Sequence, residues 1–184
     1  MLNKFQKKNL LEIARKSIET YLSSGEKLTL NEPDPVLMQN AGAFVSLHKK
    51  KELRGCIGSL VATQPLSLSV RDMAIEAAVG DPRFPSVELS ELPEIEIEIS
   101  VLSPMKQVTS SDEIELGKHG VLIRKGLHSG VFLPQVAVET GWSKEEFLAN
   151  LCTHKAGLSA DAWKDKNTQI YIFSAEVFSE KDNK

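Results

Sequence analysis

The residues of this sequence whose types and spacing best suit chemistry lie in one short run, residues 53–58, which read LRGCIG. Cys56 stands between two glycines, which leave its thiol sterically accessible to a ligand. Next to a cation or a histidine, a cysteine thiol loses its proton more easily and becomes a nucleophile. Arg54 supplies a planar positive charge nearby. A reactive or ligand-binding thiol at Cys56 is therefore one interpretation of the run.

The glycines of this run, Gly55 and Gly58, admit two interpretations. Glycine is unfavourable in a strand unless the backbone bulges or another group approaches it closely. Exposed N–H groups at such a bend can bind an anion or a developing oxyanion. Alternatively, Cys56 is a small core residue and the glycines permit tight strand packing, since unpaired cysteines are among the most buried residues. The residues alone leave both interpretations open.

The hydrophobic pattern predicts the elements that position this run. It predicts helices over residues 3–24 and 65–80, loops over 26–40 and 81–85, and a hairpin of residues 43–48 and 53–60. Asn3 is the predicted N-cap of the first helix and Gly25 its predicted end. Pro65 suits the first turn of the second helix. Cys56 is thus expected on the second strand of the hairpin.

The strand predicted over Glu94–Val101 indicates the fold class. Its isoleucines alternate with glutamates, which predicts one buried face and one solvated face of carboxylates. Further along, we predict a hairpin of residues 120–124 and 130–133, a capped helix over 143–155, and strands over 169–173 and 175–178. Strands and helices follow no regular βαβ order, so the predicted class is α+β.

Bulk composition sets the remaining limits. The 184 residues, 41% hydrophobic and 26% charged, predict a single domain spanning 1–184. The net charge of −3 argues against generic binding to nucleic acid, although residues 55–58 have the G-x-x-G form of a KH-domain loop. Cys56 and Cys152 lack metal-ligand spacing, and the sequence contains no cofactor motif. With no signal segment and no membrane span, we expect a cytoplasmic protein.

Six blocks in the chain resemble the AMMECR family. In order, they are LRGCIG at 53–58, DPRF at 81–84, ISVLSP at 99–104, KHGV at 118–121, LPQV at 133–136 and KAGL at 155–158. The resemblance implies an α+β fold in which a mixed or antiparallel β-sheet is flanked by helices, with a cleft between larger and smaller lobes. Bacterial and archaeal members resemble protein A of the AmmeMemoRadiSam system. That grouping implies two partners, a Memo-like protein and a radical SAM enzyme, and no particular reaction.

The matched blocks suggest that seven residues surround one cleft. They are Arg54, Gly55, Cys56, Gly58, Asp81, Arg83 and His119. In this hypothesis Cys56 is a nucleophile or covalent anchor and His119 is its base. The two arginines hold a carboxylate or phosphate, and Asp81 orients one of them. The alternative for the charged residues is a salt-bridge network that stiffens residues 81–85.

Two functions follow, both without a metal or another cofactor. The first is a binding or adaptor protein that recognises another protein. The second is an enzyme that uses Cys56 on a small anionic substrate. The remaining histidines are expected at the surface: His48, His128 and His154.

Overall fold

The computed structural model describes residues 1–183 and divides into two compact units. The first unit comprises Met1–Leu102 together with the C-terminal residues from Glu176, and the second comprises Ser103–Ala175. Each unit has its own hydrophobic core. The expectation of a single domain, and of a cleft between its lobes, stays a prediction.

The elements of the chain confirm an α+β fold. The α-helices are α1 Lys4–Ser24, α2 Leu66–Val79, α3 Pro134–Thr140 and α4 Lys144–Asn150. The strands are β1 Ala43–Lys49, β2 Glu52–Ser59, β3 Ile95–Leu102, β4 Lys106–Val108, β5 Gly120–Lys125, β6 His128–Phe132, β7 Gln169–Phe173 and β8 Ala175–Ser179. Two four-stranded sheets result, with strand orders β2-β1-β3-β8 and β4-β7-β5-β6. No helix among residues 1–183 is long and apolar enough to cross a membrane.

Helix α1 begins and ends where its sequence predicts. The side chain of Asn3 accepts a hydrogen bond from the Gln6 backbone N–H, and the side chain of Gln6 accepts one from the Asn3 backbone N–H. Gly25 ends the helix with a φ of 74°, a left-handed conformation that glycine adopts without steric cost. The buried side of α1 packs into the core of the first unit through Leu10, Ala14 and Ile18.

The first sheet places β2 at one edge and β1 and β3 at its centre. Strand β1 pairs antiparallel with both neighbours. Ile95, Ile97 and Ile99 of β3 are buried as predicted, whereas Glu96 and Glu98 are only partly exposed. The predicted alternation fails at the end of β3, where Ser100 is buried. Ser100 lies opposite Phe44 in the register, so an aromatic residue occupies the adjacent position on the sheet.

The C-terminal segment joins α1 to β3 within the first unit. The Glu180 carboxylate accepts two hydrogen bonds from the Arg15 guanidinium, both at 2.6 Å, and a third from the Ile97 N–H at 2.9 Å. Arg15 also donates to the carbonyls of Leu92 and Ile95. Such bidentate, charge-assisted bonds fix geometry as well as adding energy. One side chain near the end of the chain therefore fastens the first helix to a central strand.

The second unit packs α3 and α4 with its own sheet. The predicted capping box between Ser143 and Glu146 begins α4. The predicted helix over 143–155 changes to a π-helical turn at Leu151–Lys155. Within that turn, Cys152 is completely buried among apolar neighbours, and burial raises the pKa of its thiol. Cys152 is therefore a core residue.

Candidate functional site

Cys56 lies on the edge strand β2, directly opposite Ser46 of β1. Its thiol is partly buried. Ser46 Oγ donates a hydrogen bond to Cys56 Sγ at 3.1 Å. Residues that face each other in this way bring their side chains close together. A hydroxyl therefore lies beside the thiol, on the face of the sheet away from α2.

Asp81 and Arg83 cover the backbone of Cys56 at the free edge of β2. The Cys56 N–H donates to Asp81 Oδ2 at 2.9 Å, and Arg83 Nη2 donates to the Cys56 carbonyl at 3.3 Å. In an antiparallel sheet, the N–H and C=O of one residue point to the same side. A carboxylate and a guanidinium thus replace the hydrogen bonds of a missing strand. We call this pair of side chains the edge clasp.

The edge clasp combines a buried carboxylate with an exposed cation. The Asp81 side chain is 2% exposed, whereas that of Arg83 is 56% exposed. Asp81 accepts from the Arg83 backbone N–H at 3.1 Å, from Nε at 2.9 Å and from Nη2 at 2.7 Å. Hydrogen bonds from Arg83 hold the pKa of Asp81 well below its usual range, despite the opposing effect of burial. The same carboxylate raises the pKa of Arg83, so both partners stay ionised.

Arg54 makes a second ion-paired contact next to the edge clasp. Its Nε and Nη2 donate to the two carboxylate oxygens of Glu91 at 3.4 and 3.0 Å. Nη1 and Nη2 also donate to the carbonyls of Pro85 and Ser86, at 2.8 and 3.3 Å. Arg54, with Lys49, lowers the pKa of Glu91 to about 2. Every nitrogen of the Arg54 guanidinium is therefore engaged with residues 85–91, which follow the edge clasp in the chain.

The glycines of the LRGCIG run permit close approach of other groups. A Cβ on Gly55 would overlap the Ala77 carbonyl of α2, and a Cβ on Gly58 would overlap the Phe44 ring. The backbone also bulges here, because the β1–β2 register shifts between Leu47 and His48. A backbone bulge and a close approach by another group, the two features that make glycine suitable within a strand, are therefore both present.

The chain is similar to known proteins over most of its length. Residues 11–178 match the AMMECR1 family. Protein MK0488 of Methanopyrus kandleri is 44% identical over 94% of this chain and 87% of its own length, and protein PF1979 of Pyrococcus furiosus is 42% identical over the same shares. The crystal structure of protein PH0010 of Pyrococcus horikoshii matches with a TM-score of 0.87 and 40% identity, over 94% of this chain and 90% of that one.

The chain belongs to the AMMECR1 family. The resemblance seen in six short blocks is thereby confirmed across most of the sequence. The solved structure from Pyrococcus horikoshii has the same α+β fold. The names of these relatives state no activity.

The first unit of the AMMECR1 domain brings together six of the seven predicted site residues: Arg54, Gly55, Cys56, Gly58, Asp81 and Arg83. His119 belongs to the second unit, where its Nδ1 accepts a hydrogen bond from the Glu115 N–H at 3.1 Å. The dyad of Cys56 and His119 stays a prediction. Among residues 1–183, no three His, Cys, Asp or Glu side chains are placed to hold a metal ion.

Sequence reasoning missed Ser46, Glu91 and Phe44, each of which contacts the predicted residues. Ser46 and Phe44 would follow from the hairpin register, had the bulge been known. Glu91 gave no signal, because its 3-10 helix, Leu89–Glu94, lacks a clear pattern. His48 was expected at the surface, yet its Nε2 atom is buried and has no hydrogen-bond partner among the described residues.

Proposed function

We propose that this AMMECR1 domain is a binding or adaptor protein whose partner contacts the β2 edge at Cys56 and the edge clasp. The observation that carries the proposal is that the clasp joins a buried carboxylate, Asp81, to a half-exposed guanidinium, Arg83. The Arg83 guanidinium also lies over the Phe84 ring, 5.4 Å from its centroid. Arginine and aromatic residues dominate the binding energy of many protein interfaces. A cation held in place before binding loses little entropy when a partner arrives.

The charged groups of the site support binding over acid–base chemistry. Asp81 already accepts one hydrogen bond from Cys56 and three from Arg83. The pKa of Asp81 is lowered, which makes its carboxylate a poor base. Arg54 is committed to Glu91 and two carbonyls. The exposed part of Arg83 is the group of this set that remains available to a second molecule.

For the partners, we propose a Memo-like protein and a radical SAM enzyme, as in the AmmeMemoRadiSam system. This part of the proposal rests on the resemblance to protein A. We further propose that the complex works in the cytoplasm, since both cysteines are unpaired, as is usual in a reducing compartment.

Binding of the purified domain to each partner from the same organism tests the proposal. We expect a complex by light scattering after size-exclusion chromatography, and Arg83→Gln should weaken it. Lys8→Gln, on an exposed part of α1, is the matched control and should bind as the wild type does. If neither partner forms a complex at tens of micromolar protein, the adaptor proposal is wrong.

The alternative function is an enzyme that uses Cys56 on a small anionic substrate. The hydrogen bond from Ser46 Oγ to Cys56 Sγ favours it, because a donor at the sulfur stabilises a thiolate. In this alternative Arg54 and Arg83 hold the anion and His119 is the base. Site-resolved alkylation across pH tests it, with buried Cys152 as the internal control. A Cys56 that reacts no faster than Cys152 in the folded protein would exclude the enzyme.

A further inference from the structure

We propose that the free edge of β2 binds an extended peptide segment that carries a carboxylate. The segment pairs with the backbone of Gly58, and its carboxylate contacts Arg83. This inference rests on the proposed binding function and deepens it by naming the chemistry of the partner.

The edge offers a backbone pairing position next to the clasp. Cys56 and Gly58 are two residues apart on β2, so their N–H and C=O groups point to the same side. The edge clasp takes both groups of Cys56. Within residues 1–183, no chain group pairs with the outward N–H and C=O of Gly58. Unpaired groups on an edge strand are a template for another strand.

Arg83 supplies the electrostatic part of the recognition. Its Nε and Nη2 are used by Asp81 and by the Cys56 carbonyl, whereas Nη1 has no partner among the described residues. The side chain is 56% exposed and is held on one side by Asp81. A single fixed guanidinium nitrogen matches a carboxylate oxygen through a charge-assisted hydrogen bond.

The same features favour a peptide carboxylate over a phosphate group. Phosphate binding generally uses several donors that converge on one point, and the other arginine of the site, Arg54, already uses each of its three guanidinium nitrogens within the protein. The outward N–H and C=O of Gly58 pair best with a peptide backbone, which has both an acceptor and a donor, whereas a free anion has no backbone amide. The Phe44 ring lies over Gly58 and gives an apolar contact for one side chain of the partner strand.

A library of random linear octapeptides, selected on the full-length chain, provides the test. Each enriched peptide is synthesised in three forms: unmodified, N-methylated at odd residues, and N-methylated at even residues. Titration into the ¹⁵N-labelled protein is followed by NMR. We expect the unmodified peptide to shift the amide signals of Cys56 and Gly58. We also expect methylation in one register to abolish binding while the other leaves it intact, because alternate N–H groups face the neighbouring strand.

The carboxylate is tested by two matched changes. Replacing Asp or Glu of the peptide by its amide should weaken binding about tenfold, which corresponds to one charge-assisted contact. Arg83→Gln should weaken binding of the acidic peptide by a similar factor and leave binding of the amide peptide unaffected. Arg83→Lys keeps the charge, so its affinity for the acidic peptide should lie between those of the wild type and Arg83→Gln. Thermal unfolding of each variant checks that the edge is still folded.

The inference is wrong if no peptide is enriched, if both methylated forms bind like the parent, or if the amide signals of Cys56 and Gly58 do not move. Its failure is separable from that of the adaptor proposal. Complexes with the partner proteins that form without peptide binding at β2 would retain the adaptor and place its interface elsewhere. If a peptide binds but neither partner protein forms a complex, the β2 edge remains a peptide-binding site and those two partners are rejected.

Discussion

Ser46 and Cys56 face each other across β1 and β2, with Ser46 Oγ 3.1 Å from Cys56 Sγ. We expect Ser46→Ala to reduce the rate of Cys56 alkylation by iodoacetamide about threefold at fixed pH, because the thiolate loses a hydrogen-bond donor. Quantitative mass spectrometry measures both cysteines in one sample. Buried Cys152 should stay unmodified in both proteins. An unchanged Cys56 rate would show that the hydroxyl has no influence on the sulfur.

Asp81→Asn tests the edge clasp as a stabilising contact. We expect it to lower the free energy of unfolding at pH 7 by about 2 kcal/mol, since Asn cannot match a buried carboxylate paired with Arg83. The pKa of Asp81 is lowered in the folded state. Its contribution is therefore fully present above the ordinary carboxyl pKa and is lost as pH falls through the lowered value.

Denaturant titrations from pH 7 to pH 2 check the sign of this dependence. The wild type should lose stability steadily on the acid side, and Asp81→Asn should lose less over the same interval. Glu91→Gln is the companion variant. The pKa of Glu91 is lowered to about 2, so its contribution also disappears as pH falls toward that value. If the free energy of unfolding fell equally with decreasing pH in Asp81→Asn and in the wild type, the role of the ion pair would be contradicted.

The turn between β1 and β2 places two lysines in left-handed backbone. Lys50 and Lys51 have φ values of 53° and 71°, a conformation that two-residue hairpins usually fill with Asn-Gly. We expect the double substitution Lys50→Asn and Lys51→Gly to stabilise the protein by about 1 kcal/mol. Guanidinium chloride unfolding measures the change. Gly126→Ala, in the other hairpin at a φ of 59°, should shift the midpoint in the opposite direction.

Gly58 and Phe44 provide a double-mutant test of the close approach. Gly58→Ala places a methyl against the Phe44 ring, and we expect a loss of about 1–3 kcal/mol from overpacking. In a Phe44→Ala background the same substitution should cost much less, because the ring is gone. Thermal or denaturant unfolding of the four proteins gives the coupling energy. Additive effects would mean that the cost of Gly58→Ala does not come from contact with the Phe44 ring.

The helices and hairpins of this domain were predictable because their signals are local. Asn3, Pro65 and Ser143 mark helix starts through hydrogen bonds or φ restrictions that operate within one turn. Strand β4 and helix α3 were missed. Strand β4 has only three residues and α3 only seven, which is too short for a periodic pattern to show.

The candidate site was predictable in its residue types and not in its contacts. The hairpin turn alone would pair Cys56 with Val45, a fully buried core residue, and would point the thiol into the core. The bulge at Arg54 shifts the register by one residue, so Cys56 pairs with Ser46 instead. Whether the thiol is a core residue or a partly exposed one therefore depends on one extra residue. No local pattern in the sequence reveals that shift.

The contact between Arg15 and Glu180, 165 residues apart, has a consequence for synthesis. The ribosome makes α1, α2 and the first three strands early, but β8 and Glu180 emerge only after the whole of Ser103–Ala175. The second unit is therefore complete in sequence while the first still lacks an edge strand and the carboxylate that fastens its helix. We expect the segment inserted in the middle to fold first, and the N-terminal part to reach its final structure last.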